Sequence, residues 1–429
     1  MAIAHKRLRP AAASLTLSAF ALGMASQSAQ AVPAFARKYG VKCYNCHTIP
    51  PALNKTGYMF KRLGYRMLPD EMDRSTPAPK ISELDQDIKF SLANSVALVA
   101  QASFTAGKPG AQDAAWSSRF DLDAALAYAA GAVPKSNFSY FAEYALYEDG
   151  ETGLRQAVIG YTGGRANRSF FAKAGVMHIQ EGEGTRAAMF YSLFPEAPAV
   201  LTNVNALNFS LDRHPAGVNI GYTWASNNFK KIFAVSAKVT NGLDADGNAA
   251  RLGSARNSKD FWFDADYWFG ADSGVTFMVY RGRKDQAQNQ GAAGEFTYRP
   301  VIRRYGIFAN HYFFDKLDIL GGYLRSRDDW KDQVDGKTSD YTSNGYHGEV
   351  DYYVQRGFAV MGRYDRLEEA IAGSPALHTS VWGVGSEKAL TDLGNVVIRA
   401  TYSRERYKGP DSALAITDKL FKLDLRLMW

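Results

Sequence analysis

Five residues, Cys43-Tyr44-Asn45-Cys46-His47, carry the clearest chemistry in the sequence. Two thiols in C-x-x-C spacing, followed at once by an imidazole, form the C-x-x-C-H pattern of covalent haem attachment. Both thiols can add to the vinyl groups of a haem, and the adjacent imidazole is placed to become the proximal axial ligand of its iron. Cys43 and Cys46 are the only cysteines in 429 residues, so no other disulfide or thiolate site competes for them. A structural zinc needs two further ligands close by, and the next histidine downstream is His178. A redox dithiol calls for a βαβ setting, which the flanking residues do not offer. The expected cofactor is one covalent haem c on Cys43, Cys46 and His47, with a plain dithiol or disulfide as the alternative.

The distal iron ligand is less constrained. Met59, Met67 and Met72 are near in sequence, and a methionine opposite a histidine would raise the redox potential. Met67, just beyond Gly64-Tyr65, is the preferred candidate, while Met59 reads as helix packing. His178 and His347 could approach only from another element, and both read as ordinary lumen or loop histidines.

The first residues assign a compartment. His5, Lys6, Arg7 and Arg9 precede an apolar stretch from Ala11 to Ala25, and Ala29-Gln30-Ala31 supplies small residues for cleavage. This is the form of a secretory signal peptide, residues 1–31. Its apolar part is too short for a membrane helix of about 20 residues. Export suits c-type attachment, which in bacteria takes place outside the cytoplasm. Losing Lys6, Arg7 and Arg9 lowers the formal charge from +7 to +4. That mild excess excludes the clustered basic footprint of a nucleic-acid partner.

Something must hold and cover the motif. Residues 32–68 form the haem segment, with a short amphipathic helix expected to start at Asn54 and end at Gly64. Residues 69–86, rich in proline and acids, read as a linker. Fewer than about 40 residues rarely bury enough apolar surface to stand alone. The cover has to come from residues 87–429.

That remainder alternates with period two. Ile88, Phe90, Leu92, Val96, Leu98, Ala100, Ala102 and Phe104 share one face of a long strand; Phe120, Leu122, Ala124, Leu126 and Tyr128 share another, opposite Arg119, Asp121 and Asp123. Phe261 to Phe269 alternates with Asp264 and Asp266, Tyr346 to Val354 with His347, Glu349 and Asp351, and Phe421 to Trp429 with Asp424 and Arg426. A soluble sandwich could use this pattern with its apolar face inward. An outer-membrane barrel turns the same face to lipid and lines its lumen with the charges. Aromatic residues at expected strand ends (Tyr144, Tyr402, Trp429) and short turns alternating with long polar stretches favour the barrel. At about 20 residues per strand and turn, 343 residues make about 16 antiparallel strands. The expected fold is mainly β: an outer-membrane barrel with a small α-helical monohaem segment that could serve as its plug.

The run from Val32 through Cys43-Tyr44-Asn45-Cys46-His47 to Pro51-Ala52-Leu53-Asn54, Gly57, Phe60 and Gly64-Tyr65 resembles the N-terminus of the fused outer-membrane monohaem cytochrome–porins, candidate iron oxidases of iron-oxidising bacteria. The porin part is similar only in architecture, size and terminal aromatic residue. The resemblance implies single-electron transfer from an extracellular donor, such as Fe(II), to a periplasmic c-type cytochrome or similar acceptor. Met59 stands where that pattern usually has a basic residue, so the resemblance lends it no ligand role.

Lumen charges admit two readings. Asp121, Asp123, Glu143, Asp264, Asp266, Glu349 and Asp351 could attract Fe(II), which accepts carboxylate and imidazole ligands. They could equally pair with Arg119, Arg363, Arg399 and Arg426. Glu181 and Glu183 open a long connection running to Asn203, of a length often functional or folded into a lumen.

Overall fold

The computed structural model describes residues 34–50, 52–68, 78–85, 95–110, 115–148, 151–178, 214–242, 259–270, 272–283, 286–288, 296–298, 301–331, 338–371, 376–408 and 416–429. The signal peptide, Met72, the first apolar run from Ile88 to Leu92, and the connection holding Glu181 and Glu183 lie outside them.

The segment before the wall is built from α1 (Ala34–Tyr39), a two-stranded ribbon of β1 (His47–Ile49) and β2 (Ala52–Leu53), and α2 (Lys55–Arg62). Asn54 caps α2 by accepting from the Gly57 amide at 3.0 Å. Gly64, at φ 66°, turns the chain away after it. The helix expected between Asn54 and Gly64 is therefore present, but the segment is two short helices and a ribbon rather than an independent globule.

The wall follows as β3 (Val96–Lys108), β4 (Ser117–Ala132), β5 (Phe138–Glu148), β6 (Glu151–Arg165), β7 (Arg168–Val176), β8 (Ala216–Ala225), β9 (Ile232–Asn241), β10 (Lys259–Phe269) and β11 (Ser273–Arg283). A separate hairpin, β12 (Gln286–Gln288) and β13 (Phe296–Tyr298), interrupts it. The wall resumes with β14 (Val301–Phe313), β15 (Leu317–Lys331), β16 (Thr338–Gln355), β17 (Phe358–Ile371), β18 (Leu377–Ala389), β19 (Val396–Lys408) and β20 (Ile416–Met428). These 16 strands pair antiparallel with their neighbours, and β20 pairs with β3 to close the barrel. Closure satisfies every strand edge, as a membrane-spanning sheet requires.

Side-chain exposure settles which face meets lipid. Phe261, Phe263, Phe277, Ile307, Ile319, Val350 and Val384 are exposed on the outside. Asp264, Asp266, Glu349, Asp351, Asp365 and Arg399 point inward and are buried. A soluble sandwich would reverse this, so that alternative falls. Tyr144 and Tyr402 lie inside their strands rather than at their ends, because the strands run on past the aromatic level towards the long connections.

Strand β4 departs from simple alternation. Gln101 pairs with Ala124 and Ala102 with Leu122, leaving Asp123 as an extra residue. Such a bulge moves all following side chains to the opposite face. Tyr128, expected beside Leu122, instead lies opposite Glu143 and against Phe141 with ring centroids 6.1 Å apart. The linker also differs from expectation. Ala78, Ile81 and Leu84 are buried in a cluster with Tyr58, Met59, Leu63, Ala166 and Trp268, so its second half is part of the core.

Candidate functional site

The C-x-x-C-H loop starts as one 3-10 turn, Cys43–Asn45, with the Cys46 amide donating to the Cys43 carbonyl at 3.1 Å. Asn54 holds this loop from behind. Its side-chain amide donates to the carbonyls of Tyr44 at 3.3 Å and Asn45 at 3.2 Å, while its own backbone amide donates to Cys46 at 3.0 Å. One side chain thus caps α2 and fixes the motif. Gly57 lets the helix press on the loop: a Cβ there would fall 2.2 Å from the Cys46 carbonyl oxygen. Asn54→Ala loses the cap, worth about 1 kcal/mol, together with both clamps. We expect it to loosen the loop and speed proteolysis within residues 34–68 severalfold, while heat-modifiable migration of the barrel is unchanged.

The loop is docked into the short-turn end of the barrel from several sides. Tyr44 wedges between the β16–β17 and β18–β19 turns, where Gly357 and Gly394 adopt φ of 78° and 79°. A Cβ on Gly357 would sit 2.4 Å from the Tyr44 hydroxyl. The Arg356 guanidinium covers the Tyr44 ring at 4.9 Å, and the Cys43 amide donates to Leu393 at 3.2 Å. Ile49 and Ala52 pack on Tyr353, Ala359 and Met361. Beyond α2, Arg66 donates to the carbonyls of Ser136 at 2.7 Å and Phe138 at 2.9 Å, and the Tyr65 ring stacks on Phe141. Between these, Lys55 donates to Asp272, and Arg62 lies 3.1 Å from Asp266 and 3.8 Å from Asp264. The segment spans the mouth and borrows the wall as its core.

Cys43 is buried, with Cys46 and His47 half-buried. Burial pushes the Cys43 thiol up to about 11; burial and then the neighbouring Cys43 push Cys46 up to about 12. An activated redox dithiol needs the opposite shift. Among the described residues no group of three or more His, Cys, Asp or Glu is gathered for a metal ion. Two thiols and an imidazole sit together on one braced loop, a donor set that fits haem attachment.

The other expected residues scatter. Met67 lies half-buried just after Arg66, and Met59 is buried in the apolar cluster with Trp268. His347 is hydrogen-bonded to Asp365 at 2.6 Å; it stands six residues along β16 from Tyr353, roughly 20 Å from the docked segment at strand rise. His178 lies at the far end of β7, its ring against His214.

Most of the acids pair, though not always with the expected arginines. Arg119 meets Asp121 at 2.6 Å, Lys422 meets Asp123 at 3.1 Å, and Arg155 lies 4.0 Å from Glu143. Arg363 takes Asp365, Arg399 takes Glu387, and Arg426 donates to Gln101. Asp264 and Asp266 take Arg62 of the plug. Sequence reasoning missed Tyr58 and Arg62: their i,i+4 spacing puts them on one helix face, but Asp266, which both contact, lies 208 and 204 residues away in sequence.

No family model and no curated protein matches the chain. Solved structures do match in shape. The loop L8 deletion mutant of OmpT from Vibrio cholerae is 14% identical, with a TM-score of 0.51 over 78% of this chain and 99% of its own. An anion-selective porin from Comamonas acidovorans is 10% identical, with a TM-score of 0.53 over 78% and 99%. The barrel has the outer-membrane porin fold. The outer membrane channel DcaP of Acinetobacter baumannii, at 9% identity and a TM-score of 0.50 over 78% and 97%, has it too. The protein resides in the bacterial outer membrane, its short turns facing the periplasm and its long connections outside.

Proposed function

We propose that this barrel passes single electrons across the outer membrane through one covalent haem c held at its periplasmic mouth. The observation that carries the reading is the C-x-x-C-H loop, braced by Asn54 and docked by Tyr44 against the periplasmic turns. Cys43 and Cys46 would hold the group through thioether bonds and His47 would supply a nitrogen to its iron, with Met67 as the candidate for a second iron ligand. When bound, the group supplies a one-electron redox centre. An extracellular donor such as Fe(II) loses one electron, and a periplasmic c-type cytochrome or similar carrier gains it.

Position refines the donor. The apolar band of such barrels is about 25 Å tall, and electron tunnelling decays steeply with distance. A redox centre at the periplasmic end therefore requires a donor small enough to enter the barrel.

The second reading is a solute-conducting porin whose haem segment is a structural or regulatory plug, and the porins and channel of like fold favour it. Stopped-flow mixing of the purified protein with Fe(II) separates the two. Electron transfer requires the haem absorption bands to shift to their reduced form. Bands that stay oxidised with Fe(II) and other small donors, alongside ordinary ion conductance in planar bilayers, leave only the porin.

A further inference from the structure

The outward face of the β11–β17 sector has a feature that electron transfer does not use. Near the long-connection end, Arg281, Arg283, Arg303, Arg325, Arg327 and Arg366 alternate with the inward, buried Tyr280, Arg304, Ser326, Asp328 and Asp365. Their side chains therefore point to the membrane side of the wall. Arg303, Arg325 and Arg327, with Tyr305, Tyr323 and Asp329, line an open cleft of about 760 Å³.

Height on the wall is set by the neighbours. Tyr305 and Tyr323 lie directly beneath the arginines along β14 and β15, and the Tyr323 ring meets Tyr346 at 5.2 Å. Ile307, Ile319 and Val350 continue the exposed apolar surface below them. A tyrosine row over an aliphatic band marks the membrane–water interface. The cleft thus sits at headgroup level of the outer leaflet.

Among the described residues its charge is not balanced. Arg281 stands directly opposite Arg303, and Arg303 directly opposite Arg327, a cross-strand arrangement that is destabilising for like charges. Three outward carboxylates among the described residues of the sector are already engaged: Asp329 with Arg303 at 3.0 Å, Asp340 with Arg327 at 2.6 Å and Glu368 with Arg366 at 2.5 Å. Among the described residues, no carboxylate pairs with Arg281, Arg283 or Arg325. Guanidinium forks match phosphate oxygens bidentately, and a bound phosphate would relieve the arginine row.

We propose that this cleft binds the phosphorylated headgroup of an outer-leaflet glycolipid of the lipid A type. The arginines hold its phosphates, and Tyr305 and Tyr323 face the sugar and the first carbons of its acyl chains. The test uses the full-length protein in detergent, titrated with fluorescent bisphosphorylated lipid A. Arg281→Gln/Arg325→Gln/Arg327→Gln should weaken binding by roughly tenfold per arginine removed, with heat-modifiable migration unchanged. Arg325→Gln alone serves if the triple variant does not fold. Enzymatically dephosphorylated lipid A should bind wild type as weakly as lipid A binds the variant. Equal binding by variant and wild type, or equal binding of dephosphorylated lipid, overturns the proposal. Displacement by inorganic phosphate at matched phosphate concentration overturns it as well, since the cleft would then be a free-anion site.

Discussion

Full-length protein carrying Cys43→Ala and Cys46→Ala is expected to insert as a closed barrel and to hold no covalent haem. Wild type should keep a haem-stained band after boiling in detergent, because thioether bonds survive denaturation; the double variant should lose it completely. The wall does not depend on the thiols. Its 16 strands close on one another, and the motif loop is held by Asn54, Gly57 and Tyr44 rather than by sulfur. Heat-modifiable migration should therefore match wild type. His47→Ala separates attachment from ligation: the stained band should remain, with altered absorption bands from a changed axial set. Alkylation of reduced, unfolded wild type tests the alternative. Stoichiometric labelling of Cys43 and Cys46 by iodoacetamide would show a plain dithiol and end the cytochrome reading, whereas thioethers leave nothing to label.

The wall was legible because a membrane barrel writes its two solvents into alternate residues. Phe261 to Phe269 against Asp264 and Asp266 needed only the pleat to be read correctly, and the strand number followed from length. The face of Tyr128 was not legible: one extra residue at Asp123 reverses everything after it, and no local pattern marks that bulge. The motif residues were plain from spacing, but their setting was not. Asn54 looked like a helix cap and proved also to clamp two carbonyls of the loop. Arg62 reaches Asp266, 204 residues away in sequence, and such pairings are decided by how the plug enters the mouth. The arginine row behind the cleft was hidden for the same reason, since Arg281, Arg303 and Arg327 become neighbours only through strand register.

Arg62→Ala should release the plug from the wall beside β10 without unfolding the barrel. Arg62, Asp264 and Asp266 are all buried. Tyr58 donates to the Asp266 oxygen that Arg62 contacts, and Thr276 donates to the other at 2.7 Å. Removing the guanidinium leaves two buried carboxylates on one face of β10 without the plug cation they share. Breaking a buried pair in this way costs about 3–5 kcal/mol, equivalent to a hundredfold or more in a local opening equilibrium. Proteolysis within residues 34–68 should therefore accelerate by roughly a hundredfold, and single-channel conductance should rise. Arg62→Lys, a point charge without the fork, should fall between. Replacing both sides, Arg62→Ala with Asp264→Asn and Asp266→Asn, should recover much of the loss, because no uncompensated charge remains buried. Wild-type proteolysis and conductance in Arg62→Ala would show instead that Tyr44 and Arg66, at the other sides of the mouth, are enough to hold the segment.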